Sequence, residues 1–343
     1  MRDTAGKKQL SWAVFCFVSQ RKLTEEHRIR KKMPVPTGFI FPGQGSQHVG
    51  MLAELASSFP IIQQTFAEAS EALEYDLWAL CQSGPAEQLS LTHITQPAIL
   101  TASVAIHRLW SQQGGSSPLL LAGHSLGEYS ALTCAGVFNF VDAVTLVRQR
   151  GEFMQSAVPL GTGSMAAIIG LEDTRVEAVC AAANEPDSQV APVNYNAPGQ
   201  VVIAGHTEAV NRAITGCKEA GAKRALPLSV SAPFHSALMK PAAEHFARVI
   251  QQVAMQPPQW PVLQNHGLMT TTDTVRIREN LVGQIHNPVP WTATIRKFAD
   301  QGIARVLELG PGKVLCGLNK RIAPDMEALV VNDRASLESA LQA

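Results

Sequence analysis

The segment Gly123-His124-Ser125-Leu126-Gly127 is the feature that most restricts what this chain can become. It is a G-x-S-x-G with an apolar run, PLLLAG, on one side and the helix-like stretch LGEYSALTC on the other. The two glycines allow a turn sharp enough to lift the Ser125 hydroxyl clear of the backbone. The following helix aims its first N–H groups at the same point, where a developing anion is stabilised. Strand, serine turn, helix is α/β grammar, and it predicts a nucleophile at the edge of a parallel sheet.

The rest of the chain follows the same grammar. GFIFPG reads as a strand, IIQQTFAEASEAL as a helix, and residues 97–113 carry helical periodicity. From Gly161 the order changes. SMAAIIG is strand-like, EDTRVEAVCAAAN helical, VAPVNYNAP and QVVIAG strand-like, TEAVNRAITGCKEAG helical and AKRALPLSVS strand-like. This β-α-β-β-α-β order is the split-βαβ, ferredoxin-like pattern. The expected fold is therefore α/β. A large α/β-hydrolase-like domain with a parallel sheet core spans 33–158 and 232–343, and a small ferredoxin-like domain is inserted at 159–231.

Composition narrows the function. Lys plus Arg and Asp plus Glu both number 28, so no overall field draws the chain to nucleic acid or to an anionic membrane. An acidic partner has to be met by a local patch. Six dispersed cysteines, Cys16, Cys81, Cys134, Cys180, Cys217 and Cys316, lack the spacing of a zinc site or a disulfide framework and read as reduced core residues of a cytoplasmic protein. No metal site is expected. The apolar run at residues 10–18 is too short to span a bilayer, which takes about 20 residues. Residues 1–32 are expected to be a non-native or upstream-start extension, with Met33 as the initiator.

A serine hydroxyl needs a proton acceptor within hydrogen-bond reach. Ten histidines compete. His124 adjoins the serine on a tight turn and is read as a pocket wall. His235, directly after the last strand of the inserted unit, is the first choice of base. His27, His48, His93, His107, His206, His245, His266 and His286 show no metal spacing and are read as surface or core residues. A second glycine turn, Pro42-Gly43-Gln44-Gly45-Ser46-Gln47, offers backbone donors near a ligand. It lacks the third glycine of a dinucleotide fingerprint, and Gly310-Pro311-Gly312-Lys313 is no P-loop.

Taken together, FPGQGSQ at 41–47, TQPA at 95–98, GHSLGEYSAL at 123–132, Arg150-Gly151, NAPGQVVIAG at 196–205, FHS around His235, QIHNPVPW at 284–291 and ELGPGKVL at 308–315 resemble the malonyl-CoA:acyl carrier protein transacylase family of fatty acid synthesis, in that family's order. The resemblance runs from about Phe39 to the C-terminus. It implies Ser125 as nucleophile and His235 as base, with the backbone N–H groups of Gln44 and Leu126 as oxyanion hole. It implies Arg150 as holder of the malonyl carboxylate, Gln284 as the residue that orients His235 through its main-chain carbonyl, and Asn196 and Gln96 as pocket lining.

The substrates it implies are malonyl-CoA and the acidic, phosphopantetheinylated acyl carrier protein, with no bound cofactor, in a cytoplasmic monomer. A carboxylate is costly to bury unpaired, and a guanidinium meets it with parallel hydrogen bonds, so Arg150 suits malonyl over acetyl. Phe234, beside the base, is expected to narrow the space next to the malonyl C2 carbon. Two other readings remain open at this level: an esterase or lipase that passes the acyl group to water, and a catalytically silent interaction subunit.

Overall fold

Thr37–Phe41 (β1) is buried along its whole length, and its side chains alternate between two cores. Phe39 and Phe41 enter the larger apolar cluster, whereas Ile40 points to the opposite side with Leu120 and Ala122. Alternation with both faces covered is what a strand inside a two-faced parallel sheet requires. Leu120–Gly123 (β2), Val262–Leu263 (β7), Arg305–Leu309 (β8) and Glu327–Val331 (β9) complete that sheet in the order β7-β2-β1-β8-β9, with every pairing parallel. The computed structural model describes residues 35–228, 230 and 232–343; the extension expected at residues 1–32, with its apolar run and Met33, lies outside them.

Gly163–Ile169 (β3), Val190–Ala197 (β4), Gln200–His206 (β5) and Arg224–Pro227 (β6) form a second, antiparallel sheet in the order β4-β5-β3-β6. Two helices, Asp173–Ala183 and Thr207–Glu219, cover one face through Val176, Cys180, Val210, Ala213 and Ile214 against Ile168, Val201 and Ile203. The residues of opposite parity, Met165, Val202 and Ala204, belong to the main core instead. The small sheet thus lays one face on the body of the protein. Its edge is stitched there by hydrogen bonds between β4 and Val289: Val289 N–H donates to Val193 O at 2.8 Å and Tyr195 N–H to Val289 O at 3.0 Å. Residues 36–343 make one compact unit.

The helix expected over 97–113 runs instead from Thr92 to Gln112, with Pro97 inside it. Proline carries no N–H and fixes φ, so it reads in a sequence as a helix start although a preceding turn can exist. Here Ile94 N–H and Thr95 N–H both donate to Leu91 O at 2.8 Å and supply that turn. The extra turn carries Gln96. Helix Phe140–Ser156 packs across it at Gly151, where a Cβ would stand 2.7 Å from His93 Cα and 2.8 Å from Thr92 O. A bare glycine therefore lets the two helices touch beside Arg150.

The Gly310–Gly312 turn after β8 has a structural role. A Cβ on Gly310 would meet Pro42 Cγ at 2.3 Å, and one on Gly312 would meet Ser46 Cβ at 3.2 Å, so the turn buttresses the loop that carries Gln44. Buried Glu308 holds the helix behind it, Val314–Ile322, by accepting from Leu315 N–H at 3.1 Å and Cys316 N–H at 2.7 Å. The cysteines described, Cys81, Cys134, Cys180, Cys217 and Cys316, are buried and free. Among the described residues no helix is long and apolar enough to cross a membrane, and no cluster of His, Cys, Asp and Glu is arranged to hold a metal ion.

Candidate active site

Ser125 stands between β2 and helix Leu126–Cys134 with φ 51° and ψ −105°, a conformation costly for a residue with a side chain. Backbone packing enforces it. A Cβ on Gly127 would lie 2.0 Å from Phe41 O, and one on Gly123 would lie 1.9 Å from Gly127 C, so both positions exclude any side chain. Asn265 holds the turn from the other side, accepting from Ser125 N–H at 2.9 Å and donating from Nδ2 to Gly123 O at 2.8 Å.

His235 reaches the serine across 110 residues of sequence, with Nε2 2.7 Å from Ser125 Oγ. Its Nδ1 lies 2.9 Å from the main-chain carbonyl of Gln284. A carbonyl only accepts, so Nδ1 carries the proton and Nε2 is left as the acceptor facing the hydroxyl. His235 also sits at positive φ, 62°, so both members of the pair are held in strained backbone. Burial pushes its pKa down to about 3, and the Arg150 guanidinium adds to the effect. The imidazole is therefore neutral and able to take a proton.

Arg150 is the unusual element. Only 1% exposed, it donates from Nη1 to Gln96 Oε1 at 2.8 Å, and from Nη2 to Gln284 Oε1 at 2.9 Å and Ser125 Oγ at 3.2 Å. Its guanidinium carbon lies 5.0 Å from the centre of the Tyr129 ring. Among the described residues no Asp or Glu forms an ion pair with it. Two amide oxygens and a π face attract a cation without cancelling its charge. Burial lowers its pKa from the usual arginine value, against the opposing pull of nearby Tyr129 and Glu128.

These groups line one cavity, walled by Gln44, Gln96, His124, Ser125, Leu126, Arg150, Met154, Met165, Asn194, Leu228, Val230, Phe234 and His235. Nearly every residue singled out in the sequence is gathered here; Gln284 joins through its hydrogen bonds. Asn196 lines an adjoining cleft that shares Gln44, His124, Asn194 and Leu228 with this cavity. That cleft also holds Pro42, Ser46 and Leu315, and Asn196 Oδ1 lies 2.8 Å from His124 Nε2. Asn194, two residues earlier on β4, lines both.

The loop carrying Gln44 is braced by its own side chains. Ser46 Oγ donates to Gly43 O at 2.9 Å, and Gly45 N–H donates to Gln47 Oε1 at 2.8 Å.

Sequence reasoning missed Asn265, Met154, Met165 and, above all, Glu128. That carboxylate is 0% exposed and accepts from Gln264 Nε2 at 3.1 Å, Asn265 N–H at 2.9 Å and Gln284 Nε2 at 2.7 Å. The one available signal was an acidic residue in the first turn of the helix behind Ser125, a place where acids are common for reasons of the helix dipole alone.

A hydroxyl at a strand–helix elbow and an imidazole poised to take its proton define a serine-dependent acyl-transfer site. Residues 38–323 match the acyl transferase domain family. The chain is 58% identical to the malonyl CoA-acyl carrier protein transacylase of Salmonella typhimurium over 303 residues, which is 88% of this chain and 98% of the relative. It is 57% identical to that of Escherichia coli over 304 residues, 89% of this chain and 98% of the relative. Among solved structures it resembles an acyl carrier protein S-malonyltransferase from Vibrio cholerae, with TM-score 0.87, 55% identity and coverage of 89% and 99% of the two chains. It also resembles a malonyl-transacylase in complex with its type II PKS acyl-carrier protein, with TM-score 0.88, 55% identity and the same coverage. The chain belongs to the malonyl CoA-acyl carrier protein transacylase family.

Proposed function

We propose that this protein transfers the malonyl group from malonyl-CoA to the phosphopantetheine thiol of acyl carrier protein through a malonyl ester on Ser125, supplying extender units for fatty acid biosynthesis. The observation that carries the reading is Arg150: a buried cation that no described carboxylate touches directly, 3.2 Å from the serine hydroxyl, suits an acyl group that brings its own carboxylate. A neutral ester gives that cation nothing to pair with.

In the first half-reaction Ser125 Oγ attacks the thioester carbonyl while its proton passes to His235 Nε2. The tetrahedral oxyanion is stabilised by the backbone N–H groups of Gln44 and Leu126. Loss of one such donor costs about 10²- to 10³-fold in rate. As the C–S bond breaks, the imidazolium returns the proton to the departing CoA thiolate. In the second half-reaction the carrier protein's thiol gives its proton to His235 and attacks the acyl-serine, and Ser125 leaves with that proton. Thioester exchange is redox-neutral and proton-balanced, so it calls for no bound cofactor. Arg150 holds the carboxylate throughout, Gln284 O keeps His235 in its tautomer, and Phe234 bounds the space beside C2.

The same reading treats residues 33–158 and 232–343 as an α/β-hydrolase-like domain and 159–231 as an inserted ferredoxin-like domain. The β4-β5-β3-β6 order and the two covering helices support the second label. The protein is read as a cytoplasmic monomer whose acidic carrier partner docks on Lys and Arg near the cleft. Incubation with radiolabelled malonyl-CoA tests the function: label is retained on Ser125 and handed over when holo carrier protein is added. Label released to water regardless of carrier protein would overturn transfer in favour of hydrolysis.

A further inference from the structure

The proposed mechanism leaves Glu128 without a task. It is a fully buried carboxylate in the first turn behind the nucleophile, and it receives three hydrogen bonds from two segments, the Gln264-Asn265 stretch and the helix end at Gln284. We propose that Glu128 is a positioning residue that fixes the side-chain amide of Gln284 in the one orientation able to hold Arg150, and thereby sets the preference for an acidic acyl group. This rests on the malonyl-transfer reading above.

The argument turns on the two ends of an amide, which have nearly the same shape and opposite hydrogen-bonding character. Gln284 Nε2 lies between two acceptors, Glu128 Oε2 at 2.7 Å and Ser125 O at 3.0 Å. With Nε2 committed there, Oε1 is left 2.9 Å from Arg150 Nη2. A flipped amide would turn N–H groups toward a guanidinium that itself only donates, and Arg150 would lose one of its two amide acceptors. What forbids the flip is the ionised carboxylate: Oε1 and Oε2 meet only donors, from Gln264, Asn265 and Gln284, which an acceptor-only group satisfies.

The arrangement also separates two buried charges by one amide. Glu128 compensates Arg150 through Gln284 without touching it, so the side of the guanidinium facing Ser125 keeps its charge for a ligand. A carboxylate in direct contact with Arg150 would quench it. Through Asn265 N–H the same carboxylate is tied to the residue that holds Ser125 N–H and Gly123 O. One buried acid thus braces nucleophile, cation and, through the main chain of Gln284, the base.

The charged and titratable groups that act on Glu128 are Arg150 from a neighbouring helix and Tyr129 on its own helix. Burial raises Glu128 to about 7, against the pull of its donors, and holds His235 near 3. Through its contacts with Asn265 and Gln284, protonation of Glu128 gives malonyl transfer an acid limb. Below it the protonated acid turns a donor toward its neighbours, Gln284 is released and Arg150 loses its anchor.

The test measures kcat and KM for malonyl-CoA and acetyl-CoA as a function of pH, on the full chain. Wild type is expected to show the acid limb with malonyl-CoA and a much weaker one with acetyl-CoA. Glu128→Gln must aim an N–H2 group at a donor, so its KM for malonyl-CoA should rise on the order of 10- to 100-fold above the limb, with acetyl transfer far less affected and the limb itself gone. Gln264→Met removes one donor to the carboxylate without touching the pocket, and should move the limb to higher pH at an unchanged kcat plateau. Equal losses on both acyl groups in Glu128→Gln, or a limb unmoved by Gln264→Met, would overturn the proposal. Should Glu128→Gln fail to fold, the Gln264→Met limb decides alone. Failure of the wild type to retain malonyl on Ser125 sinks the malonyl-transfer reading instead.

Discussion

Arg150 Nη2 donates to Ser125 Oγ at 3.2 Å while the same hydroxyl lies 2.7 Å from His235 Nε2. The oxygen therefore accepts from a cation and donates to a base at once. The cation favours the alkoxide, and it also holds down the basicity of the imidazole. When a substrate carboxylate engages Arg150, its charge is balanced and His235 becomes the stronger base. In the proposed mechanism, cargo recognition and base strength are thus coupled through one guanidinium.

Arg150→Ala is the direct check on cargo recognition. One to two charge-assisted hydrogen bonds, each about 1.5 to 3 kcal/mol, correspond to a loss of about 10- to 100-fold or more in kcat/KM for malonyl-CoA. Acetyl transfer should be spared or improved. Steady-state kinetics on the two thioesters reads the ratio, and an unchanged ratio removes Arg150 from carboxylate binding.

His235→Gln should slow formation of the acyl-serine about 10²- to 10⁴-fold, followed by mass spectrometry of the quenched enzyme. It should also change stability. The folded pKa of His235, about 3, lies below the ordinary histidine value of 6.5, so the unfolded chain binds the extra proton between these limits. The stability from the neutral, buried ring is complete above the upper limit and is lost as pH falls toward the lower one. His107, lowered to about 4 by burial, acts in the same direction. Denaturation against pH should therefore be shallower on the acid side in His235→Gln, yet not flat.

Gly127→Ala tests the elbow. Its new methyl group would meet the Phe41 carbonyl, which cannot move without breaking the β1 pairing, so a destabilisation of about 3 kcal/mol or more is expected. Urea denaturation measures it, and a wild-type midpoint would refute the steric reading.

Asn265→Ala removes the acceptor for Ser125 N–H and the donor to Gly123 O. Each buried group left unsatisfied costs about 1 to 3 kcal/mol. The strained Ser125 backbone should relax and acylation should slow, even though Asn265 is absent from the pocket wall. Single-turnover acylation on a variant shown to be folded checks it.

Much of this molecule was legible in the sequence wherever a local pattern carries the physics. β1, β2 and β8 announce themselves as short apolar runs, and Ser125 by its glycines. The two-residue β7 is too short to leave a period, and Pro97 hid the first turn of its helix. His235 was chosen among ten candidates by its place after the inserted unit and by resemblance. Glu128 and Asn265 escaped because their meaning lies in partners 137 and 140 residues away, which no spacing rule reaches. Asn194 was not singled out because no local pattern marks it, and its place in the cavity comes from the packing of β4 beside the main sheet.

The cavity has two unlike walls. On one side β1, β2 and the helix after Ser125 meet through bare main chain, with no volume there for a substitution to explore. On the other, Met154, Met165, Leu228 and Phe234 are flexible or replaceable side chains. Divergence toward bulkier or branched cargo therefore has one route open to it, through the thioether and aromatic lining, while the reaction machinery stays frozen by geometry.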